Sequence, residues 1–175
     1  ETPQSPRLLC CLGALKGSSL DDLLPSLVEL GVDEFHVFLS KGDGKFLISD
    51  KAQKRWISKI EGATKQSKRS YLPTLKVWGS LSELGEALRP RELEKVILTV
   101  PSHFSEKPEQ LINFKFDKDS CLLIGSEKGF TNEQEEACER WGFQKRTVGF
   151  HVLRSTTASL AAVAILSSQR SKQGL

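Results

Sequence analysis

The fold is decided by residues 122–164, which read LLIGSEKGFTNEQEEACERWGFQKRTVGFHVLRSTTASLAAVA. An apolar run leads into a glycine-containing turn, a helix with a capping signature, a further strand-like run, a second glycine-containing turn and an alanine-rich helix. Strands that alternate with helices in this way indicate an α/β fold with a mainly parallel sheet. In such sheets ligands bind beyond the carboxyl ends of the strands, so both turns are candidate ligand loops.

The spacing of the glycines does not by itself identify a ligand. Neither turn matches the GxGxxG dinucleotide fingerprint or the GxxxxGK[ST] phosphate loop, which weighs against a Rossmann enzyme and an NTPase. Gly125 and Gly129 have no side chains where a ligand could approach the backbone, and Glu127 adds a charge between them. Tight turns are the alternative reason for glycine at these two positions.

The rest of the chain continues the same alternation. Short apolar runs bounded by turn residues predict strands at residues 8–15, 32–39, 95–100, 121–124 and 144–148. Helical spacing and capping residues predict helices at residues 18–30, 50–68, 80–88, 131–141 and 156–168. Pro25 falls inside the first of these helices, where proline is unfavourable. Ser80 with Glu83, and Thr131 with Gln134, are spaced as capping boxes.

The composition is that of one globular domain. The 175 residues are 38% hydrophobic and 27% charged, and the formal net charge of +3 permits an RNA partner without requiring one. The four cysteines have no CxxC or histidine-rich spacing, so we predict no metal site, no disulfide framework and a reducing, cytoplasmic location. No apolar run approaches the roughly 20 residues of a transmembrane helix, which predicts no membrane partner.

Four segments carry a family resemblance. GSEKGF at residues 125–130 and VGFHVLRSTTA at residues 148–158 resemble the patterns GPEGG(F/L)xxxE and LGxRILRTETA of the RsmE-type family of bacterial small-subunit rRNA uridine-N3 methyltransferases. KQSKR at residues 65–69, followed by Pro73, and ELGV at residues 29–32 resemble two further motifs of that family. The motifs occur in the family's order and span about residues 12–166, which makes the set more specific than any one of them.

The resemblance implies a SPOUT fold, an α/β knot in which a carboxyl-terminal deep trefoil knot folds three loops into a cradle for S-adenosylmethionine. Deep knots are rare, so only the resemblance predicts one. It also implies a homodimer and ribosomal RNA or the small ribosomal subunit as partner. The expected cofactor contacts are Leu98, Pro101, Gly125, Glu127, Gly129, Val148, Gly149, Val152, Leu153 and Thr157.

The resemblance also implies roles for four basic residues. We expect Arg154 to be catalytic, holding the target nucleotide or stabilising its developing anion. A salt bridge is the alternative role for that side chain. We expect Lys65, Lys68 and Arg69 to contact RNA phosphates, although a basic helix face is more often only solvated.

Residues 1–7 are expected to form a linker, residues 8–170 the methyltransferase domain and residues 171–175 a tail. We expect the family's amino-terminal PUA-like RNA-binding domain to be absent from this sequence.

Three departures from the family pattern leave a second function open. Ser126 stands in place of the motif proline, Lys128 in place of a motif glycine and Thr156 in place of a motif glutamate. These changes favour, as the alternative, a catalytically silent SPOUT-fold module that binds RNA or cofactor without transferring a methyl group. A nucleotide-binding α/β protein unrelated to RNA is the third and weakest hypothesis.

Overall fold

The computed structural model describes residues 5–15, 19–39, 48–100 and 108–170. Six strands and five α-helices lie in these ranges, together with a short 3-10 helix at Leu111–Asn113. The strands are β1 (Leu8–Gly13), β2 (Glu34–Phe38), β3 (Thr74–Trp78), β4 (Glu94–Leu98), β5 (Ser120–Ile124) and β6 (Gln144–Arg146). The helices are α1 (Ser19–Glu29), α2 (Asp50–Gln66), α3 (Leu81–Leu88), α4 (Asn132–Arg140) and α5 (Ser155–Arg170).

The strands form one sheet in the order β3-β2-β1-β5-β4-β6, and every neighbouring pair is parallel. The predicted α/β fold with a parallel sheet is therefore confirmed. Strand order and pairing do not trace how the chain threads through its own loops, so the deep trefoil knot stays a prediction. No helix in the described ranges is long and apolar enough to cross a membrane.

The central strands bury side chains on both faces of the sheet. In β1, Leu8, Cys10 and Leu12 enter a core beneath α1, α2 and α5, whereas Leu9 and Cys11 enter a second core beneath α3 and α4. All five residues of β5 are buried as well. A strand covered by helices on both faces has no polar side to expose, which is why its sequence is a continuous apolar run.

Strand β3 is the element that the sequence did not predict. It lies at the sheet edge next to β2, and each of its residues is partly or fully exposed, with Lys76 at its centre. Charged residues are common on edge strands because they hinder pairing with other chains. The buried strands were predicted from continuous apolar runs. The exposed polar residues of β3 interrupt such a run, so the same signal is missing there.

The two predicted capping boxes differ in the structure. Thr131 and Gln134 form the complete reciprocal pair at the start of α4. At the start of α3 only half of the box forms. The Ser80 hydroxyl accepts from the Glu83 backbone, but the Glu83 carboxylate accepts from the backbone N–H of Gly79. Either arrangement satisfies donors that the first helical turn leaves unpaired.

A buried ionic cluster around Asp33 holds the amino-terminal edge of the sheet. The Asp33 carboxylate, 1% exposed, accepts from the backbone N–H of Leu8 at 2.9 Å and from the guanidinium groups of Arg69 and Arg170 at 2.7 Å each. Arg170 also donates to the carbonyl oxygen of Gly31. The cluster thereby joins the start of β1, the segment after α2 and the end of α5.

Replacing Asp33 with asparagine would keep the shape of the side chain and remove the counter-charge of two partly buried guanidinium groups. We expect the free energy of unfolding to fall by about 3 kcal/mol, because an uncompensated buried charge is costly. Urea denaturation measures this loss. Asp22→Asn, an exposed carboxylate in the first turn of α1, is the matched control and should cost about 0.5 kcal/mol or less. Equal losses in both variants would contradict the role given to the cluster.

Candidate functional site

A cavity of about 690 Å³ opens at the carboxyl-terminal edge of the sheet. Its walls come mainly from the segments that follow β4, β5 and β6, three strands on one side of the sheet. These segments supply residues 98–100, 124–130 and most of 148–158, and Leu15, Ser19 and Glu135 complete the wall. The cavity therefore lies where parallel α/β sheets bind ligands.

The turn after β5 needs glycine at both ends for different reasons. A Cβ atom at Gly125 would lie 3.1 Å from the backbone of Gly129, so the two ends of the turn are in contact. Gly129 has a φ of +69°, in the left-handed region that favours glycine, and its N–H donates to the carbonyl oxygen of Ser126 at 2.9 Å. By contrast, Gly149 has no neighbouring atom within 4 Å of an added Cβ, so packing does not require glycine there.

Two contacts hold this turn from outside. At the end of β1, a Cβ atom on Gly13 would lie only 2.4 Å from the backbone nitrogen of Ser126, so the two backbones touch. At the start of α5, the Ser155 hydroxyl donates to the carbonyl oxygen of Gly125 at 2.6 Å. Neither residue was a predicted site residue. The glycine at the end of the apolar run at residues 8–15 is a sequence signal that could have identified Gly13.

The polar groups of the cavity fall into two sets. Ser126 is 4% exposed, and its hydroxyl has no hydrogen-bond partner among the described residues. The charged side chains of Glu127, Lys128 and Arg154 are instead exposed at the rim. Glu135 is fixed by Lys145, whose ammonium lies 3.2 Å from its carboxylate. The cavity thus has a charged entrance, and the buried hydroxyl of Ser126 in its wall is neutral and has no hydrogen-bond partner among the described residues.

The family model described as RNA methyltransferase domain matches residues 2–167. The chain belongs to this RNA methyltransferase family. Its similarity to the ribosomal RNA small subunit methyltransferase E of Mesomycoplasma hyopneumoniae is 27% identity over 157 residues, 88% of this chain and 66% of that protein. A second relative is the ribosomal RNA small subunit methyltransferase E 1 of Borreliella burgdorferi, 30% identical over 110 residues, 63% of this chain and 44% of that protein.

Among solved structures, the RNA methyltransferase domain resembles the ribosomal RNA small subunit methyltransferase E of Neisseria gonorrhoeae bound to S-adenosyl methionine. The TM-score is 0.82 at 24% identity, over 95% of this chain and 68% of that chain. This likeness concerns the fold alone, and it agrees with the parallel α/β sheet that the sequence predicts. The chain spans less than two thirds of each of the two curated relatives, at 66% and 44% of their lengths.

Most of the residues that are predicted to contact the cofactor do lie in the cavity wall of this methyltransferase domain. Those that do are Leu98, Gly125, Glu127, Gly129, Val148, Gly149, Val152 and Leu153, and the expected catalytic Arg154 lines it as well. Thr157 does not: it is exposed and lies outside the cavity wall, to which Ser155, Thr156 and Ala158 contribute. Pro101 lies outside the described residues.

The three residues predicted to contact RNA differ in how exposed their side chains are. Lys65 and Lys68 are exposed at the end of α2. Arg69 points inward with its side chain 17% exposed, and it donates to the carbonyl oxygens of Val28 and Val32 as well as to the Asp33 carboxylate. Lys68, with a φ of 55°, reverses the chain direction here. Arg69 therefore has a structural role in this methyltransferase domain, in place of the expected phosphate contact.

Gly13→Ala tests the backbone contact that supports the cavity. The added methyl group would force β1 and the turn at Ser126 apart, so we expect a loss of about 2 kcal/mol in the free energy of unfolding, typical of overpacking. Gly62→Ala in α2 is the matched control. No atom lies within 4 Å of its added Cβ, and it should stabilise the helix by up to about 1 kcal/mol. Thermal unfolding measures the effect in both variants. A shift of the two melting temperatures in the same direction would contradict the contact.

Proposed function

We propose that this chain is an S-adenosylmethionine-dependent RNA methyltransferase that acts on N3 of a uridine in small-subunit ribosomal RNA. The observation that carries the proposal is the cavity enclosed by the turn at residues 125–129 and the segment at residues 148–154, in a chain of the RNA methyltransferase family. The names of the two curated relatives support the ribosomal substrate. The neighbouring structure that holds S-adenosyl methionine supports the cofactor.

The cavity fits a cofactor of this size and chemistry. Its volume of about 690 Å³ lies within the range of small-molecule sites, roughly 300–1,000 Å³. Leu98, Ile124 and Val148 give it apolar walls that suit a nucleoside ring. Gly125 and Gly149 leave the backbone accessible, and the charged rim suits the charged amino-acid end of the same molecule.

When bound, S-adenosylmethionine supplies a methyl group that its sulfonium already activates toward a nucleophile. The protein's own residues must then position the base and stabilise the charge that develops as N3 of uracil loses its proton. Arg154, exposed at the rim and without an ionic partner among the described residues, places a permanent positive charge at the entrance. Preorganised charges of this kind lower a barrier because they need no reorientation during the reaction.

Methyl transfer to a small-subunit rRNA fragment, followed with labelled cofactor, tests the function. We expect Arg154→Ala to lower kcat by roughly 100-fold, the usual effect of removing one preorganised donor. The Kd for S-adenosylmethionine in calorimetry should stay within about threefold, since the role concerns the transition state. The exposed Arg140 of α4 gives the matched control, Arg140→Ala, which should leave kcat unchanged.

Two results of this experiment would contradict the proposal. The first is the absence of detectable heat when S-adenosylmethionine is added to the wild-type chain at millimolar concentration. The second is binding of the cofactor without transfer to RNA, which the silent-module hypothesis expects.

Lys65 and Lys68 remain proposed RNA contacts. Their joint replacement by alanine should raise the KM for RNA and leave kcat unchanged, because phosphate contacts contribute binding alone.

We also infer that two copies of the chain associate. Phe150 is 78% exposed and Val152 66% exposed, and both lie in the segment after β6 beside the cavity. Large exposed apolar residues that are grouped together mark interaction surfaces. Equilibrium sedimentation should therefore give the mass of a dimer for the wild-type chain and a shift toward monomer for Phe150→Ser. A wild-type monomer at micromolar concentration would contradict the inference.

Residues 8–170 are proposed as the methyltransferase domain. A cytoplasmic location follows from the proposed ribosomal substrate.

A further inference from the structure

The side chain of Ser126 is an exception to the way buried polar groups are satisfied in this protein. It is 4% exposed, it lines the cavity, and its hydroxyl has no hydrogen-bond partner among the described residues. Buried polar groups almost always have a partner, and a group without one destabilises the folded state. Because this atom lies in a cavity wall, a bound ligand can supply the missing partner.

The two other buried polar atoms without a partner are of a different kind. They are the Nε atoms of Arg146 and Arg170. The remaining nitrogens of both guanidinium groups are paired. In Arg146, Nη1 donates to the carbonyl oxygen of Lys145 and Nη2 to Gln144 and Glu109. In Arg170, Nη1 donates to the carbonyl oxygen of Gly31 and Nη2 to Asp33. Only at Ser126, among the described residues, does a whole buried functional group lack a partner.

The Ser126 hydroxyl makes no hydrogen bond within its own turn. The carbonyl oxygen of Gly125 already accepts from Ser155, and that of Ser126 accepts from Gly129. Contact with the backbone of Gly13 fixes the position of the Ser126 backbone. The hydroxyl is therefore held in the cavity wall by backbone packing, with its hydrogen-bonding capacity unused.

We propose that the Ser126 hydroxyl hydrogen-bonds to the adenosine part of S-adenosylmethionine, an inference that rests on the proposed function. A neutral hydroxyl, which both donates and accepts, matches the uncharged polar atoms of a nucleoside. Its burial separates it from the exposed charges of Glu127, Lys128 and Arg154, which suit the charged amino-acid end. The family motif has proline at this position, so the contact distinguishes this chain from the pattern that it resembles.

Calorimetry on the Ser126→Ala variant tests the contact, with S-adenosylmethionine and adenosine as separate probes. We expect the Kd of both ligands to rise by the same factor, roughly tenfold, because both carry the group that the hydroxyl binds. The matched control is Ser168→Ala, an exposed serine near the far end of α5 that donates to its own helix. It should leave both Kd values unchanged.

The melting temperature without ligand provides a second measurement. Removing an unsatisfied buried hydroxyl should leave it unchanged or raise it by about 2 °C, whereas loss of a structural contact would lower it. Weaker binding together with an unreduced melting temperature supports the proposal. Equal Kd values for wild type and variant, or a lowered melting temperature, would overturn it.

The two ligands separate the remaining outcomes. An unchanged Kd for adenosine with a raised Kd for S-adenosylmethionine would assign the hydroxyl to the amino-acid end and overturn the adenosine contact. A wild-type chain that binds neither ligand would overturn the proposed function itself. If instead the wild type and the variant bind both ligands with equal Kd values, only the role of Ser126 is overturned.

Discussion

The charge balance at Asp33 is the constraint on which the position of α5, and with it the candidate site, depends. Arg170 in the last turn of α5 is fixed by the Asp33 carboxylate at the amino-terminal edge of the sheet. Ser155, the first residue of the same helix, is hydrogen-bonded to Gly125 at the carboxyl-terminal edge. Helix α5 therefore spans the sheet with both ends held, and Ser167 adds a contact to the carbonyl oxygen of Leu30 along the way. The hydrogen bond from Ser155 thereby links the turn that encloses the cavity to a helix that is held at both ends.

This arrangement separates stability from ligand chemistry across the sheet. At the amino-terminal edge, the Asp33 carboxylate is fully used by Arg69, Arg170 and the backbone of Leu8. The desolvation of these charges is offset because each faces an opposite charge at hydrogen-bond distance. At the carboxyl-terminal edge, Arg154 stays exposed and Ser126 stays unsatisfied. The exposed cation and the buried hydroxyl without a partner thus both lie where a ligand can bind them.

What the sequence predicted well depends on local or periodic signals. The buried strands, the glycine turns and the Thr131 cap each follow from a few neighbouring residues. The failures depend on contacts between distant segments, or on where a helix begins. Arg69 belongs to a basic run, and only the left-handed turn at Lys68 shows that it points toward Asp33. Thr157 lies outside the cavity wall because successive residues along α5 turn by about 100°, which directs it away from the face that Ser155, Thr156 and Ala158 contribute.

The departures from the family pattern lie among the glycines that shape the turn after β5. The glycines that geometry demands at Gly125 and Gly129 are present, as is Gly13, where any side chain would overlap the turn. The substituted positions, Ser126 and Lys128, lie between those fixed points and contribute side chains to the cavity. A side chain at Gly13, Gly125 or Gly129 would strain or displace the backbone, whereas the side chains of Ser126 and Lys128 are accommodated in the cavity wall. The chain therefore keeps the glycines that shape the candidate site, while Ser126 gives its interior a hydroxyl and Lys128 gives its rim a cation.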